Sequence, residues 1–137
     1  MDRAEGLRRL AAAPSGHLGT VRPDGRPHVV VVTFAMVDEE VVTAIDQKPK
    51  TTDRLQRLVN IEANPSVTFL VDHYENDWTR LWWVRIDGLA AVHHSGRSRD
   101  EAIAALVAKY DRYRETPPDG PVIAITPERV ISWEHTP

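Results

Sequence analysis

The run PHVVVVTFAMV, residues 27–37, constrains the fold more than any other part of the chain. It follows a segment of strand character at 17–22, and the intervening Pro23, Asp24 and Gly25 supply a preset φ and tolerance of positive φ. The two segments are therefore predicted to form an antiparallel hairpin. Because four consecutive valines, 29–32, break the alternation of apolar and polar residues, the second strand is predicted to be covered on both faces, as in a barrel or a dimer interface.

Further apolar and β-branched runs predict a fold built on a sheet. The remaining predicted strands are 41–45, 66–72, 81–92, 122–126 and 129–133, and Gly88 is predicted to bend the long one. Helices are predicted at 3–13, from about 51 to 64, and after Ser98, whose spacing from Glu101 is that of a capping box. We expect one domain over residues 1–137, mainly β with peripheral helices (α+β), in which six to seven antiparallel strands close into a barrel.

Composition excludes several classes of function. The chain of 137 residues carries a formal net charge of −3, so it lacks the broad basic face that nucleic-acid binding needs. It contains no cysteine, which excludes disulfides, thiolate metal sites and cysteine nucleophiles. The sequence shows neither a signal peptide nor an apolar span of bilayer length, and we expect a cytoplasmic protein that binds neither nucleic acid nor membrane.

The segment 41–60 combines a strand with the start of a helix and carries a local excess of positive charge. Its basic residues, with one hydroxyl near the helix start, are Lys48, Lys50, Thr51, Arg54 and Arg57. A helix N-terminus is a natural seat for a phosphate because its N–H groups are unpaired and lie at the positive end of the dipole. The helical spacing of Lys50, Arg54 and Arg57 predicts either an anion clamp or an ordinary solvated helix edge.

The same helix is predicted to pack through Leu55, Leu58 and Val59, next to the basic residues. Asn60 is expected either to face the side of the bound anion or to be solvated. The glycine spacings of a Walker loop or a dinucleotide-binding turn are absent, so no motif supports a nucleoside triphosphate or NAD.

Trp82 and Trp83 are adjacent in the predicted strand 81–92. Neighbouring residues of a strand point to opposite faces, so the two rings cannot fill the same core. The second ring is predicted to form either a wall for a planar cofactor or part of a dimer interface, where tryptophan is enriched. Arg85 shares the face of Trp83 and is expected either beside that surface or in a cross-strand ion pair.

No motif assigns a catalytic residue. The six histidines lack metal-ligand spacing, and neither a G-x-S-x-G pattern nor a distinctive pair of carboxylates occurs, so no metal site is expected. An anion site with aromatic walls but no evident acid, base or nucleophile suits a redox protein whose cofactor does the chemistry.

Four stretches carry a resemblance to a known family: PDGRPHVVVVTF, VTAIDQKPKTTDRLQRLVNIEANPSVTFLVD, WTRLWWVRIDGLA and ERVISWEH. They resemble the split β-barrel flavin and deazaflavin oxidoreductases related to pyridoxamine 5′-phosphate oxidase. The parts KPKTTDRLQRLVNIEANP and LWWVRIDG are similar to the subgroup that uses the deazaflavin coenzyme F420 rather than FMN. The resemblance implies a split barrel of the FMN-binding type and a homodimer whose cofactor sites lie between the subunits.

By position, the resemblance implies roles for individual residues. The cofactor phosphate would be held by Lys48, Lys50 and Arg54, with Thr51 nearby, and Arg57 would reach the acidic tail of F420. The residues implied beside the ring system are Thr33 and the backbone of Thr43, Ala44 and Ile45. The residues implied at the edge of the groove are Trp83 and Arg85.

The resemblance implies an F420-dependent reductase that transfers hydride to a small unsaturated or aromatic acceptor. F420 is favoured over FMN because the Arg-x-Val/Leu-x-Leu-Lys run of the FMN oxidases is absent, and that region reads HVVVVTFAM. Two alternatives stay open: an FMN-binding oxidase or reductase of the same fold, and a non-catalytic protein that binds cofactor or haem. The sequence names no proton donor, so solvent or the substrate itself would supply the proton.

Overall fold

A computed structural model describes residues 1–45 and 52–137, with only the helical backbone described for 52–55. Seven strands organise this part of the chain: β1 Gly16–Val21, β2 Pro27–Val32, β3 Ala35–Val37, β4 Glu40–Ala44, β5 Ser66–His73, β6 Trp82–His93 and β7 Val122–Glu134. The helices are α1 Arg3–Ala12, α2 Thr52–Ala63, α3 Arg97–Lys109 and α4 Asp111–Glu115, with a 3-10 turn at Trp78–Arg80. The prediction of a mainly β fold with peripheral helices is confirmed.

The strands form one antiparallel sheet in the order β2-β1-β5-β6-β7-β4-β3. Its edge strands, β2 and β3, are separated along the chain only by Thr33 and Phe34, so the sheet curls until its two edges approach each other at this corner. The single strand predicted at 27–37 is therefore wrong. Phe34 interrupts it because its ring turns into the core, edge-on to Phe69 at 4.8 Å, while its backbone N–H and carbonyl are bound by the hydroxyl of Tyr110.

The strands predicted at 122–126 and 129–133 are one strand, β7, which pairs with β6 along its length. Gly88 lies opposite Pro127 and Asp87 lies opposite Arg129, so Glu128 is the extra residue of a β-bulge. Proline has no N–H to donate and is tolerated at a bulge, which is why it does not end the strand. The irregularity of β6 thus falls at Gly88, where the sequence predicts it.

The main core lies inside the curl of the sheet. Its fully buried members include Leu10 from α1, Phe34 and Phe69, and alternate residues of the central strands such as Val84 and Ile86. A second, smaller cluster packs Ala102 and Leu106 of α3 against β3, β4 and the start of β7. None of the helices in the described ranges is long and apolar enough to cross a membrane.

The amphipathic helix predicted after Ser98 is confirmed as α3, but its predicted capping box is wrong. The N-cap is Gly96, two residues before Ser98, at φ 93°, and no side chain caps the helix. Positive φ is accessible to glycine without strain, so the chain enters the helix there. Glu101 instead accepts a hydrogen bond from Arg97 at 3.0 Å.

Within the chain, β2 is covered on one face only, so the prediction of cover on both faces is wrong for the single subunit. Val29 and Val31 are 66% and 65% exposed, whereas His28 and Val32 are buried. Burial therefore alternates along β2 although the sequence does not. The two exposed valines lie on the face of the sheet opposite the core, which we call the outer face.

Candidate functional site

A cleft of about 220 Å³ opens where β2 turns at Thr33 and β4 ends at Ala44, directly before the basic segment. We call it the corner cleft. Among the described residues, its walls are Val31, Val32, Thr33, Thr43, Ala44, Arg57 and Tyr113. The structure therefore brings together four residues that the sequence analysis singled out, from three separate elements.

Thr43 fixes the geometry between β4 and the corner. It is buried, and its hydroxyl donates a hydrogen bond to the backbone carbonyl of Thr33 at 2.7 Å. Ala44, the next residue, also lines the cleft. Ile45 is not among the lining residues: its side chain belongs to the main core, and its N–H donates to the carbonyl of Pro121 at 2.9 Å.

Arg57 places a positive charge in the wall of the cleft. It is only 8% exposed, and it lies on the buried side of α2 with Asn60 and Ile61. The packing face predicted for this helix is accordingly wrong at Val59, which is 48% exposed. An arginine can take this position because its aliphatic stem packs against apolar surface while the guanidinium reaches a polar region.

Asn60 neither faces the corner cleft nor is solvated. It is fully buried, and its amide donates to the hydroxyl of Thr20 at 2.9 Å while its carbonyl oxygen accepts from Gln56 at 2.6 Å. Asn60 thus ties α2 to β1 and helps to fix the helix that carries Arg57.

Tyr113 of α4 is a lining residue that the sequence analysis missed. Its hydroxyl lies 2.7 Å from Oγ1 of Thr33, which is 80 positions away along the chain. Tyr110, three residues earlier, accepts a hydrogen bond from the N–H of Phe34 at 3.1 Å, and the two tyrosine rings meet edge-on at 5.5 Å. The only signal available in the sequence was the repeat of tyrosine at helical spacing in YDRY.

Among the described residues, Arg57 is the one charged lining residue of the corner cleft, and none is a carboxylate. A guanidinium beside the paired hydroxyls of Thr33 and Tyr113 is a donor set suited to phosphate or carboxylate oxygens. The chemistry of the lining therefore fits an anionic or oxygen-rich ligand.

Trp83 and Arg85 lie elsewhere in the subunit. With Leu70, Asp72 and Tyr74 they line a second cleft, of about 340 Å³. Arg85 lies on β6, seven residues before Val92. Val92 pairs with Ile123 of β7, which in turn pairs with Thr43 in the wall of the corner cleft. Roughly 23 Å of strand therefore separates Arg85 from the corner cleft. One subunit by itself does not bring these residues to that cleft.

The orientation of the tryptophans agrees with the prediction of opposite faces. Trp82 packs against the main core and stacks on His73, with ring centroids 6.4 Å apart. Trp83 lies on the outer face, where the guanidinium of Arg85 is 5.8 Å from its ring centroid. The ion pair of Arg85 runs along its own strand, to Asp87 at 3.2 Å, and not across to a neighbouring strand as one alternative expected.

Three predicted phosphate-binding residues, Lys48, Lys50 and Thr51, lie outside the described residues, as does the side chain of Arg54. Their roles remain predictions. Within the ranges 1–45 and 52–137, no group of three or more histidine, aspartate or glutamate side chains is arranged to hold a metal ion.

Comparison with known proteins identifies the family. The family model described as pyridoxamine 5′-phosphate oxidase matches residues 4–134, nearly the whole chain. The protein therefore belongs to the pyridoxamine 5′-phosphate oxidase-like family, with its split-barrel fold. A search of curated proteins gave no match.

Solved structures with the same fold have low sequence identity to this chain. A conserved hypothetical protein of Mycobacterium tuberculosis, Rv2991, has a TM-score of 0.80 at 22% identity, over 98% of this chain and 85% of its own. An FAD-binding protein of Mesorhizobium loti has a TM-score of 0.73 at 20% identity, over 96% and 94%. A haem-binding protein of Mycobacterium smegmatis has a TM-score of 0.74 at 19% identity, over 97% of this chain and 55% of its own.

Proposed function

We propose that the protein is an F420-dependent oxidoreductase that reduces a small unsaturated or aromatic acceptor. The observation that carries this proposal is the corner cleft, in which the buried guanidinium of Arg57 lies beside Thr33, Thr43 and Ala44. When bound, the reduced deazaflavin supplies hydride. The subunit's own residues bind, orient and partly desolvate the reactants.

The cleft adjoins the segment that carries the predicted phosphate ligands. β4 ends at Ala44, and Lys48, Lys50 and Thr51 follow within seven positions, so a cofactor with its ring beside Thr43 and Ala44 would extend its phosphate toward them. Arg54 would join the phosphate site and Arg57 would hold carboxylates of the acidic tail. FMN has no such tail, so a positive charge outside the phosphate site would stabilise bound F420 but not bound FMN.

The size of the cleft favours a site shared by two subunits. At about 220 Å³ it is smaller than the roughly 300–1,000 Å³ of typical ligand pockets, which supports a wall to which a second subunit contributes. Trp83 and Arg85 lie too far away within their own chain to complete it. A homodimer in which a second subunit supplies these two residues would complete the groove.

The outer face has the character of such an interface. Val31, His17, Leu70 and Arg85 form one row across four paired strands, and Trp83 lies opposite Trp133 in the next pair of strands. Val29, Val31 and Trp133 are all prominently exposed apolar side chains in the isolated subunit. An apolar surface with aromatic residues and a polar rim is typical of subunit interfaces.

A flavin- or haem-binding role is the second candidate, and the solved structures favour it. Neighbours of the same fold are described as FAD-binding and haem-binding proteins. The three ligands are therefore compared directly: F420, FMN and haem are titrated into the purified protein, and binding is followed by fluorescence or absorbance. We expect F420 to bind most tightly, whereas binding of FMN or haem without F420 would contradict the proposal.

The phosphate site is tested by Lys50→Ala, with Arg97→Ala as a matched control. Arg97 is an exposed cation at the start of α3 and is not among the described lining residues of the corner cleft. We expect Lys50→Ala to weaken F420 binding with little change in Tm, and Arg97→Ala to leave both unchanged. A large loss of Tm with unchanged affinity would show that Lys50 has a structural role instead.

A further inference from the structure

The hydroxyls of Tyr113 and Thr33 hold one proton more than their mutual hydrogen bond uses. The two oxygens are 2.7 Å apart, and neither has another hydrogen-bond partner in the described part of the chain. Whichever hydroxyl donates to the other, the second keeps an O–H that is available to a ligand. Both residues line the corner cleft, so an acceptor oxygen bound there meets a hydroxyl donor.

The position of Tyr113 is fixed by its neighbours. The Tyr110 hydroxyl accepts from the N–H of Phe34 and lies 3.0 Å from the same residue's carbonyl, so the junction of α3 and α4 is bound to the corner of the sheet. The N–H of Tyr113 donates to the carbonyl of Tyr110 at 3.1 Å, and the two rings are in edge contact. Tyr110 is therefore a positioning residue that holds the Tyr113 hydroxyl beside Thr33.

We propose that Tyr113 is the proton donor of this reductase, and that the acceptor is a conjugated carbonyl compound bound in the corner cleft. The proposal rests on the proposed function and supplies the proton donor that no sequence motif names. In the same cleft, the Tyr113 hydroxyl donates to the carbonyl oxygen, on which negative charge develops.

Reduction of the acceptor combines a hydride transfer with a proton transfer. The β-carbon of the acceptor receives hydride, and the electron pair of the C=C bond moves toward the carbonyl, which becomes an enolate. The O–H bond of Tyr113 breaks, and its proton goes to the enolate oxygen to give an enol, which tautomerises in water to the saturated carbonyl compound. Thr33 donates a hydrogen bond to the resulting phenolate, and water returns the proton to it.

The donor is tested first without cofactor. The probe is 4-nitrophenolate, whose visible absorption band moves to shorter wavelength when its oxygen accepts a hydrogen bond. The shift is measured against the band of the probe in an aprotic solvent, because water already donates hydrogen bonds to the free phenolate. We expect it for the probe bound to the wild-type protein, and we expect Tyr113→Phe to lose most of it and to bind the probe about tenfold more weakly. Thr33→Val removes the other hydroxyl and is expected to reduce the shift, whereas Thr79→Val, a matched change on the distant 3-10 turn, leaves it unchanged.

The chemical step is tested with reduced F420 and cyclohex-2-enone in single turnovers. Tyr113→Phe is expected to bind F420 as the wild type does and to slow reduction about 100-fold. Equal rates and equal probe shifts for the two proteins would overturn the role of Tyr113. The wild-type protein could instead shift the probe but neither bind F420 nor reduce the enone. That result would overturn the proposed function and the proton transfer together. The hydroxyl pair would then remain only as a binding site.

Discussion

The ammonium nitrogen of Lys109 lies 3.7 Å from the centroid of the Phe34 ring and has no hydrogen-bond partner in the described part of the chain. The Tyr110 ring is also close, at 5.3 Å. Burial lowers the pKa of Lys109 to about 8, because the charged form loses its hydration. The attraction between the cation and the rings offsets only part of this cost.

The stability of the protein is therefore expected to depend on pH through Lys109. The pKa of Lys109 is about 8 in the folded state and has its ordinary value of 10.5 in the unfolded chain. At pH values between these two, the unfolded chain binds more protons than the folded protein, so the free energy of unfolding rises with pH. We expect this rise in the wild type relative to Lys109→Met, measured by urea denaturation across that range. Lys109→Arg, which stays charged throughout, serves as control and should show no such rise. A constant difference between wild type and Lys109→Met would contradict the prediction.

Gly88 is required by the close approach of two backbones at the bulge. A Cβ added at this position would lie 2.3 Å from the carbonyl oxygen of Thr126, which belongs to the backbone and cannot swing aside. We expect Gly88→Ala to lower the free energy of unfolding by about 2–3 kcal/mol, measured by chemical denaturation.

Gly19→Ala is the matched control for that change. Gly19 lies on β1, and its added Cβ would meet its nearest atom at 3.6 Å, an ordinary van der Waals distance. We expect a change below about 1 kcal/mol, since a strand accepts alanine where space is available. Similar losses for both variants would show that the contact with Thr126 is not the cause.

Local patterns in the sequence predicted the elements that local interactions determine. The hairpin of β1 and β2 follows from its Pro-Asp-Gly turn, and Gly25 indeed has φ 88°. The opposite faces of Trp82 and Trp83 follow from the pleat alone. The apolar spacing predicted α3. The first residue of this helix is set by the glycine N-cap, which the pattern of Ser98 and Glu101 did not indicate.

Features set by distant contacts were not predictable in the same way. The break at Phe34 depends on Phe69 and Tyr110, which are far away along the chain, and nothing within PHVVVVTFAMV marks it. The sequence left open whether Arg57 belongs to an anion clamp or to a solvated helix edge, because spacing does not reveal which side of α2 meets the sheet. Tyr113 joined the candidate site only because α4 returns to the corner of the sheet.

The buried chain of Gln56, Asn60 and Thr20 is expected to contribute strongly to stability. Asn60 is fully buried, so Asn60→Ala leaves a cavity and removes the partner of the Thr20 hydroxyl. We expect a loss of about 2–3 kcal/mol in the free energy of unfolding. Gln56→Ala, at the less buried end, should cost below about 1 kcal/mol. Equal losses would show that burial of Asn60 is not the decisive factor.

Val29 provides a test of the proposed homodimer that also bears on the candidate site. It is 66% exposed on the outer face and is not among the described lining residues of the corner cleft. A lysine there would place a charge in an apolar contact, so Val29→Lys is expected to weaken dimerisation about 100-fold in sedimentation velocity. Val59→Lys, which changes an exposed valine on α2, is the control.

If the second subunit completes the corner cleft with Trp83 and Arg85, F420 affinity falls together with dimerisation. A monomer that binds F420 as tightly as the dimer would contradict the shared site, because one chain would then suffice to enclose the cofactor.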